Sequence, residues 1–265
     1  MARVLLGKAF RDCGTAVKKN KLPFERFQSK LTYFDHYWFR IRLRRMDTQL
    51  RKIYAPFCMP PDFKKKYLYF AAAQQPEATT DIHGGVYRDH ILVLEILSAS
   101  VPEDWIIYYK EHPANFYPLV KSSLRRNRHF YDRIKNLKNV QMVLPETDPF
   151  CLIDHSQAVA SIAGTTSWEA AGRGKPALFF GNVWYQGCKG LFKIDTLQDC
   201  REAVRKIING HVPDQKEIER YIIAIEKVAM KDLDFRKFAK QVISEDELER
   251  IAKELYEAYV RYYAV

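Results

Sequence analysis

Between residues 67 and 180 short apolar runs alternate with stretches of helical spacing. The runs are Tyr67–Ala73, Trp105–Tyr109, Val140–Leu144, Ala158–Ala163 and Ala177–Phe180, and the first is rich in aromatic residues. Such runs read as strands. Between them Asp89–Ser98 repeats its apolar residues at helical spacing through Ile91, Leu94, Ile96 and Leu97. Pro149–His155 and Ser167–Gly172 read as short helices. The order β-α-β-α-β-α-β-α-β predicts an α/β fold, a Rossmann-like doubly wound parallel sheet with helices on both faces. Past residue 196 the spacing is helical, over Leu197–Asn209, Asp214–Met230 and Glu245–Tyr263.

The first 66 residues lack this alternation. Phe34–Tyr54 mixes aromatic residues with Arg40, Arg42, Arg44, Arg45, Arg51 and Lys52, a basic amphipathic helix. Such a helix either packs on a core through its Tyr, Trp, Phe and Leu residues or lies on a membrane surface or an acceptor. Cys58-Met59-Pro60-Pro61 ends it. Three segments are expected: a basic, mainly helical 1–66, a Rossmann-like domain 67–210, and C-terminal helices 211–265 packing on it.

Charge sharpens this division. The chain carries a net +11. Residues 1–66 hold 17 Lys and Arg against 5 Asp and Glu, so the excess lies there and the remainder is close to neutral. A basic block suits an anionic surface such as membrane lipid, nucleic acid or an acidic polysaccharide. A hydrophobic content of 47% indicates a packed core. No apolar run approaches a membrane span of about 20 residues, and the N-terminus is too weakly apolar for a signal peptide. Five scattered cysteines without CxxC spacing fit reduced thiols in a cytosolic protein and speak against zinc.

In open parallel sheets ligands sit beyond the carboxyl ends of the strands, and three polar motifs fall there. Gln74-Gln75-Pro76-Glu77 follows the first strand, Lys110-Glu111-His112-Pro113 the second, and Gly164-Thr165-Thr166 the fourth. Gly164 and the hydroxyl residues open a helix whose free N–H groups and positive dipole end favour an anion. Glu169 lies one turn in, placed for sugar hydroxyls; its plainer role is to complete a capping box with Thr165 or Thr166. Glu77 is held toward the cleft or is simply an exposed loop residue. Asp81 and Asp89 flank the Gly84-Gly85 turn, and Asp89 also suits a helix N-cap. Two carboxylates on neighbouring loops are what glycosyl transfer or hydrolysis uses. His112 can donate to a phosphate oxygen or protonate a leaving group, against the commoner structural role of a lone histidine. No Walker-type loop, no GxGxxG after the first strand and no metal-ligand cluster is present, which argues against ATP hydrolysis and NAD chemistry.

Gln75-Pro76-Glu77, Gly84-Gly85 with an Asp beyond, Lys110-Glu111-His112-Pro113, Gly164–Ala170, Gly174-Lys175-Pro176 and Trp184-Tyr185 together resemble the bacterial capsule polysaccharide biosynthesis family over about residues 67–195. That family includes retaining β-Kdo transferases with CMP-Kdo as donor. The resemblance implies the C-terminal, nucleotide-binding half of a GT-B fold and a nucleotide-sugar donor without a metal. It implies that His112 contacts the donor phosphate and that Thr165, Thr166 and their helix cradle it. Gln75, Lys110, Gly164 and Ser167 belong to the same donor set, with Glu169 near the ribose. Glu77 is implied as general acid/base. A family Asp acts as nucleophile, matched to Asp89 with Asp81 as fallback, although His90 stands where the family usually has Gln. The implied partners are a glycolipid or polysaccharide acceptor and an anionic membrane surface met through residues 34–54. That places the chain in the cytoplasm, peripheral on the inner membrane. Residues 1–66 are too strand-poor to form the first GT-B domain. The chain therefore reads as an enzyme using its basic helices for the acceptor, or as a nucleotide-sugar-binding half working with a partner subunit. A nucleic-acid-binding module on residues 1–66 is a third reading, without a recognised motif behind it.

Overall fold

The computed structural model describes residues 33–228, apart from Leu119, together with Ser244, Asp246, Glu249, Arg250 and Lys253. Apart from those positions, the expected helix Glu245–Tyr263 lies outside the described residues. The chain divides into a unit Tyr37–Tyr221 and a second one made of Met1–His36 and Ile222–Val265.

In chain order the elements are α1 (Tyr33–Tyr54), β1 (Tyr67–Ala71), α2 (Ala78–His83), α3 (His90–Ser98), β2 (Ile106–Lys110) and α4 (Arg128–Lys135). They continue with β3 (Val140–Val143), α5 (Pro149–His155), β4 (Ala158–Ser161), α6 (Thr166–Gly172), β5 (Ala177–Phe179), β6 (Phe192–Lys193), α7 (Leu197–Ile208) and α8 (Gln215–Val228). Single 3₁₀ turns occupy Gly85–Arg88, Pro113–Phe116 and Ser122–Leu124.

The six strands form one sheet in the order β3-β2-β1-β4-β5-β6, every pair parallel. This is the doubly wound Rossmann-like order expected from the alternation. Side chains leave a strand to opposite faces in turn, and both faces here are covered. Leu68 and Phe70 of β1 join Ile107, Tyr109, Ala158 and Ala160 in one cluster, closed by α1, α3, α4 and α7. Tyr67 and Tyr69 join Tyr108, Val143 and Val159 in the other, closed by α5, α6 and Ile218 of α8. That two-sided burial is why the strands read as continuous apolar runs.

Two elements went unread, and the helix that the alternation calls for between β2 and β3 had been given no residues. β6 is two residues long and partly buried, too short for any period. α4 buries only Tyr131 and Ile134, and α2 only Thr80 among its described side chains. Helix α1, predicted over Phe34–Tyr54, turns Leu43, Asp47, Leu50 and Tyr54 inward, and the last packs on Tyr131 with ring centroids 5.0 Å apart. Residues 37–66 and the sheet thus share one core. The six basic residues of α1 are exposed. No described helix is long and apolar enough to cross a membrane.

Candidate functional site

The strand order places the site. Helices after β1 and β2 cover one face and those after β3 and β4 the other, so the chain reverses its winding between β1 and β4. In open α/β sheets the loops diverge at that point and leave a crevice beyond the carboxyl ends. The register sets Ala71 of β1 level with Lys110 of β2 and with Ser161 of β4. The loop carrying Gln75 and Glu77 therefore emerges between the loop carrying His112 and the loop carrying Gly164, Thr165 and Thr166. All three motifs stand on one edge.

On the β1 side, Glu77 is exposed and occupies the N-cap position of α2 without capping it; its Oε1 accepts from Thr79 Oγ1 at 3.4 Å. Asp81 lies one turn further on, with Oδ1 accepting from Gln75 Nε2 at 3.2 Å and 3.8 Å from Arg125 Nη2. Asp89 caps α3, its Oδ1 accepting from the Ile91 N–H at 2.9 Å. On the β2 side, Lys110 ends the strand, buried, and burial lowers its pKa against the opposing pull of Glu146 and Asp148. His112 Nδ1 accepts from the Ala114 N–H at 3.2 Å. In the neutral ring the proton is then on Nε2, the nitrogen left to donate. Burial and the Lys110 charge lower the His112 pKa, with Glu77 and Glu111 opposing.

On the β4 side, Thr165 precedes α6 but does not cap it; its hydroxyl donates to Glu169 Oε1 at 2.7 Å. The capping box expected of Glu169 is absent and the pair is side chain to side chain. A Cβ built on Gly164 would meet nothing nearer than Ser161 Cβ at 4.0 Å, so the loop surface there is open to close approach. The Gly164 carbonyl accepts from Tyr185 Oη at 2.6 Å, which ties the loop to the aromatic group of Trp168, Trp184 and Tyr185. Ser167 is turned away. It is fully buried, 2.8 Å from Ser161 Oγ, and donates to the Leu178 carbonyl at 2.7 Å.

Gln75 is also spent internally. It is buried, follows the β1 loop into a cis peptide with Pro76, and both ends of its amide are engaged. Its Nε2 donates to Asp81 and to the Arg88 carbonyl, and its Oε1 accepts from Arg126 Nη1 at 2.9 Å. Arg126 is the centre of the arrangement and was not anticipated. Its Nε donates to Glu111 Oε1 at 2.7 Å, and its Nη2 lies 3.0 Å from His90 Nδ1. Glu111 also accepts from Tyr109 Oη at 2.6 Å and Asn115 Nδ2 at 2.6 Å, while Asn115 Oδ1 takes the Gln75 N–H at 3.0 Å. Arg126, Glu111, His90, Asn115 and Gln75 are all buried. Among the described residues no buried side-chain N or O lacks a partner. The network is complete, and it clamps the start of α3 and the loops of β1 and β2, each next to a candidate catalytic group. A second buried carboxylate, Asp47 of α1, accepts from the N–H groups of Lys121 and Ser123 and from Ser123 Oγ, holding the loop that brings in Arg126.

His90 has a consequence for pH. Burial, and next the Arg126 charge, push its pKa well below the ordinary range. The unfolded chain takes up this proton near pH 6.5 and the folded one does not. Stability is then unaffected above that pH and falls as pH drops below it, by up to about 1.4 kcal/mol per unit. His112, also lowered, acts in the same direction from a more exposed position. His90→Gln keeps an acceptor for Arg126 and is expected to flatten the decline of the urea midpoint between about pH 6.5 and pH 5. An unchanged slope would assign the decline elsewhere.

The family model for capsule polysaccharide biosynthesis proteins matches residues 26–209, and the chain belongs to that family. No curated protein matches. Among solved structures it is similar to a β-Kdo 2,7 transferase, KpsC of Thermosulfurimonas dismutans, at 14% identity and a TM-score of 0.37 over 69% of this chain and 62% of that one. It is similar to the β-Kdo 2,4 transferase of the same protein at 15% and 0.39, over 62% and 55%. A UDP-GlcNAc 2-epimerase from Methanocaldococcus jannaschii matches at 16% and 0.42, over 68% and 50%. The chain thus spans half to three-fifths of the length of these structures. Among the described residues no group of three or more His, Cys, Asp and Glu could hold a metal ion.

Proposed function

We propose that the chain is a glycosyltransferase of capsule or surface polysaccharide biosynthesis that takes a CMP-activated sugar, Kdo by family resemblance, and transfers it with retention. The observation that carries this reading is the meeting of the three polar loops at the β1–β4 reversal in a chain of the capsule family. His112 Nε2 and Lys110 serve the donor phosphate together with the Thr165–Thr166 loop over Gly164, and Glu169 serves the ribose. Asp89, or Asp81 in its place, attacks the anomeric carbon and CMP leaves. Glu77 then takes the proton of the acceptor hydroxyl as that oxygen displaces the carboxylate. Gln75 and Ser167 hold the loops rather than the donor. The acceptor is a glycolipid or polysaccharide, and the exposed basic residues of α1 suit the anionic cytoplasmic face of the inner membrane.

A second reading is a nucleotide-sugar-binding half that turns over only with a partner subunit. Calorimetric titration with CMP, CDP, UDP and GDP tests the donor site. CMP is expected to bind best, and His112→Ala to weaken it about tenfold or more, as loss of a charge-assisted hydrogen bond does. Preference for another nucleotide overturns the CMP donor, and binding indifferent to His112 overturns the site. Tight CMP binding without transfer favours the second reading.

A further inference from the structure

A separate cavity lies on the β3 side of the sheet. It has a volume of about 440 Å³ and sits between the end of α1 with the turn after it and helix α4. Lys52, Arg128 and Lys135 line it together with Ile53, Pro56 and Phe57. The spacing explains the convergence. Gln49, Lys52 and Ile53 lie three and four residues apart on one face of α1, Pro56 and Phe57 follow in the turn Ala55–Phe57, and Arg128 and Lys135 lie seven apart on one face of α4. The strand order puts β2 and β1 between this flank and the β1–β4 crevice, roughly 10 Å at about 4.8 Å per strand.

Its charge is not balanced from within. Among the described residues neither Lys52 nor Lys135 has a carboxylate partner, and Arg128 has only Asp132 at 3.9 Å on its own helix. Three cations around one concavity raise a positive potential that a low-dielectric wall focuses. Ile53 and Phe57, half-buried beneath them, give the cavity an apolar side. The volume falls in the ~300–1,000 Å³ range of small-molecule sites, more than a bare ion fills.

We propose that this cavity is a second binding site, one that takes a phosphate group carried on an apolar body. The phosphate oxygens meet Lys52, Arg128 and Lys135 through charge-assisted hydrogen bonds, Gln49 adds a neutral donor, and the apolar part lies on Ile53 and Phe57. Such a ligand exists free or as the headgroup of an anionic lipid. The site is independent of the donor reading, because neither its residues nor its ligand enter that chemistry.

Inorganic phosphate and dihexanoyl phosphatidate, titrated in turn into the full chain, test it. Vesicles of phosphatidylcholine with and without phosphatidylglycerol, assayed by co-sedimentation, form the second arm. Dihexanoyl phosphatidate is expected to bind more tightly than phosphate, to weaken with added salt, and to lose roughly tenfold or more in Lys52→Ala/Arg128→Ala/Lys135→Ala. CMP titration of that variant stays at the parent value. All three side chains are surface groups, and Lys52→Gln and Lys135→Gln singly serve should the triple variant not fold. Binding of the soluble probe alone identifies a free ligand. Sedimentation with phosphatidylglycerol vesicles, lost in the variant, identifies the headgroup. The proposal falls if neither probe binds, if binding survives all the substitutions, or if it is lost with His112→Ala instead.

Discussion

Arg126→Met is expected to destabilise the Tyr37–Tyr221 unit by about 3–5 kcal/mol, the usual cost of leaving one member of a buried ion pair without its partner. Glu111 has no exposure and would keep its carboxylate with only the Tyr109, Tyr131 and Asn115 donors around it. Methionine fills the stem of the arginine, so the loss is electrostatic more than steric. A second substitution separates the two: Glu111→Gln on top of Arg126→Met removes the stranded charge and is expected to recover a large part of the loss. Urea denaturation of the parent, the two single variants and the double variant measures this. If Arg126→Met costs less than about 1 kcal/mol, the typical value for exposed pairs, the pair does not act as a buried one. If the double variant is no better than the single, the cost is one of packing.

The same residue shows where the sequence stops being readable. Arg125-Arg126-Asn127-Arg128 is a run of charge in a polar stretch, and such runs are ordinarily solvated. Arg125 and Arg128 are indeed exposed. Nothing local marks Arg126 as the one that turns inward, because its partners come from the residue just past β2, from the β1 loop and from α3, between 15 and 51 residues away. Glu111 was similarly hidden between two more conspicuous neighbours. The strands were legible because two-sided burial writes itself into every residue of a parallel strand, and their order follows once the crossovers switch faces. The site was legible in part for the same reason: residues just past the ends of neighbouring strands must share an edge. Sequence position alone, however, does not tell which of them face the crevice. Gln75 follows the right strand and Ser167 opens the right helix, yet both point into the protein, where Gln75 Oε1 accepts from Arg126 and Ser167 Oγ donates to the Leu178 carbonyl.

Glu77→Gln and Asp89→Asn are expected to abolish transfer from CMP-Kdo, by about 100- to 10,000-fold for the acid/base group and by at least as much for the nucleophile, with CMP affinity within roughly threefold of the parent. Both substitutions are nearly isosteric, and the structure makes them clean. Glu77 is exposed and its side chain caps nothing. Asp89 does cap α3, but asparagine caps about as well as aspartate, so the helix start survives the change. A loss of activity in a folded, CMP-binding Asp89→Asn protein would therefore be chemical, where Asp89→Ala would confuse it with a lost cap. Asp81→Asn decides between the two aspartates. Asparagine there still accepts from Gln75 Nε2 but offers no anion to the anomeric carbon. If Asp81→Asn is inactive and Asp89→Asn is not, the nucleophile is on α2, one turn from Glu77. If both aspartate variants and Glu77→Gln retain full activity, the carboxylates of this edge serve the fold and the transfer chemistry lies elsewhere.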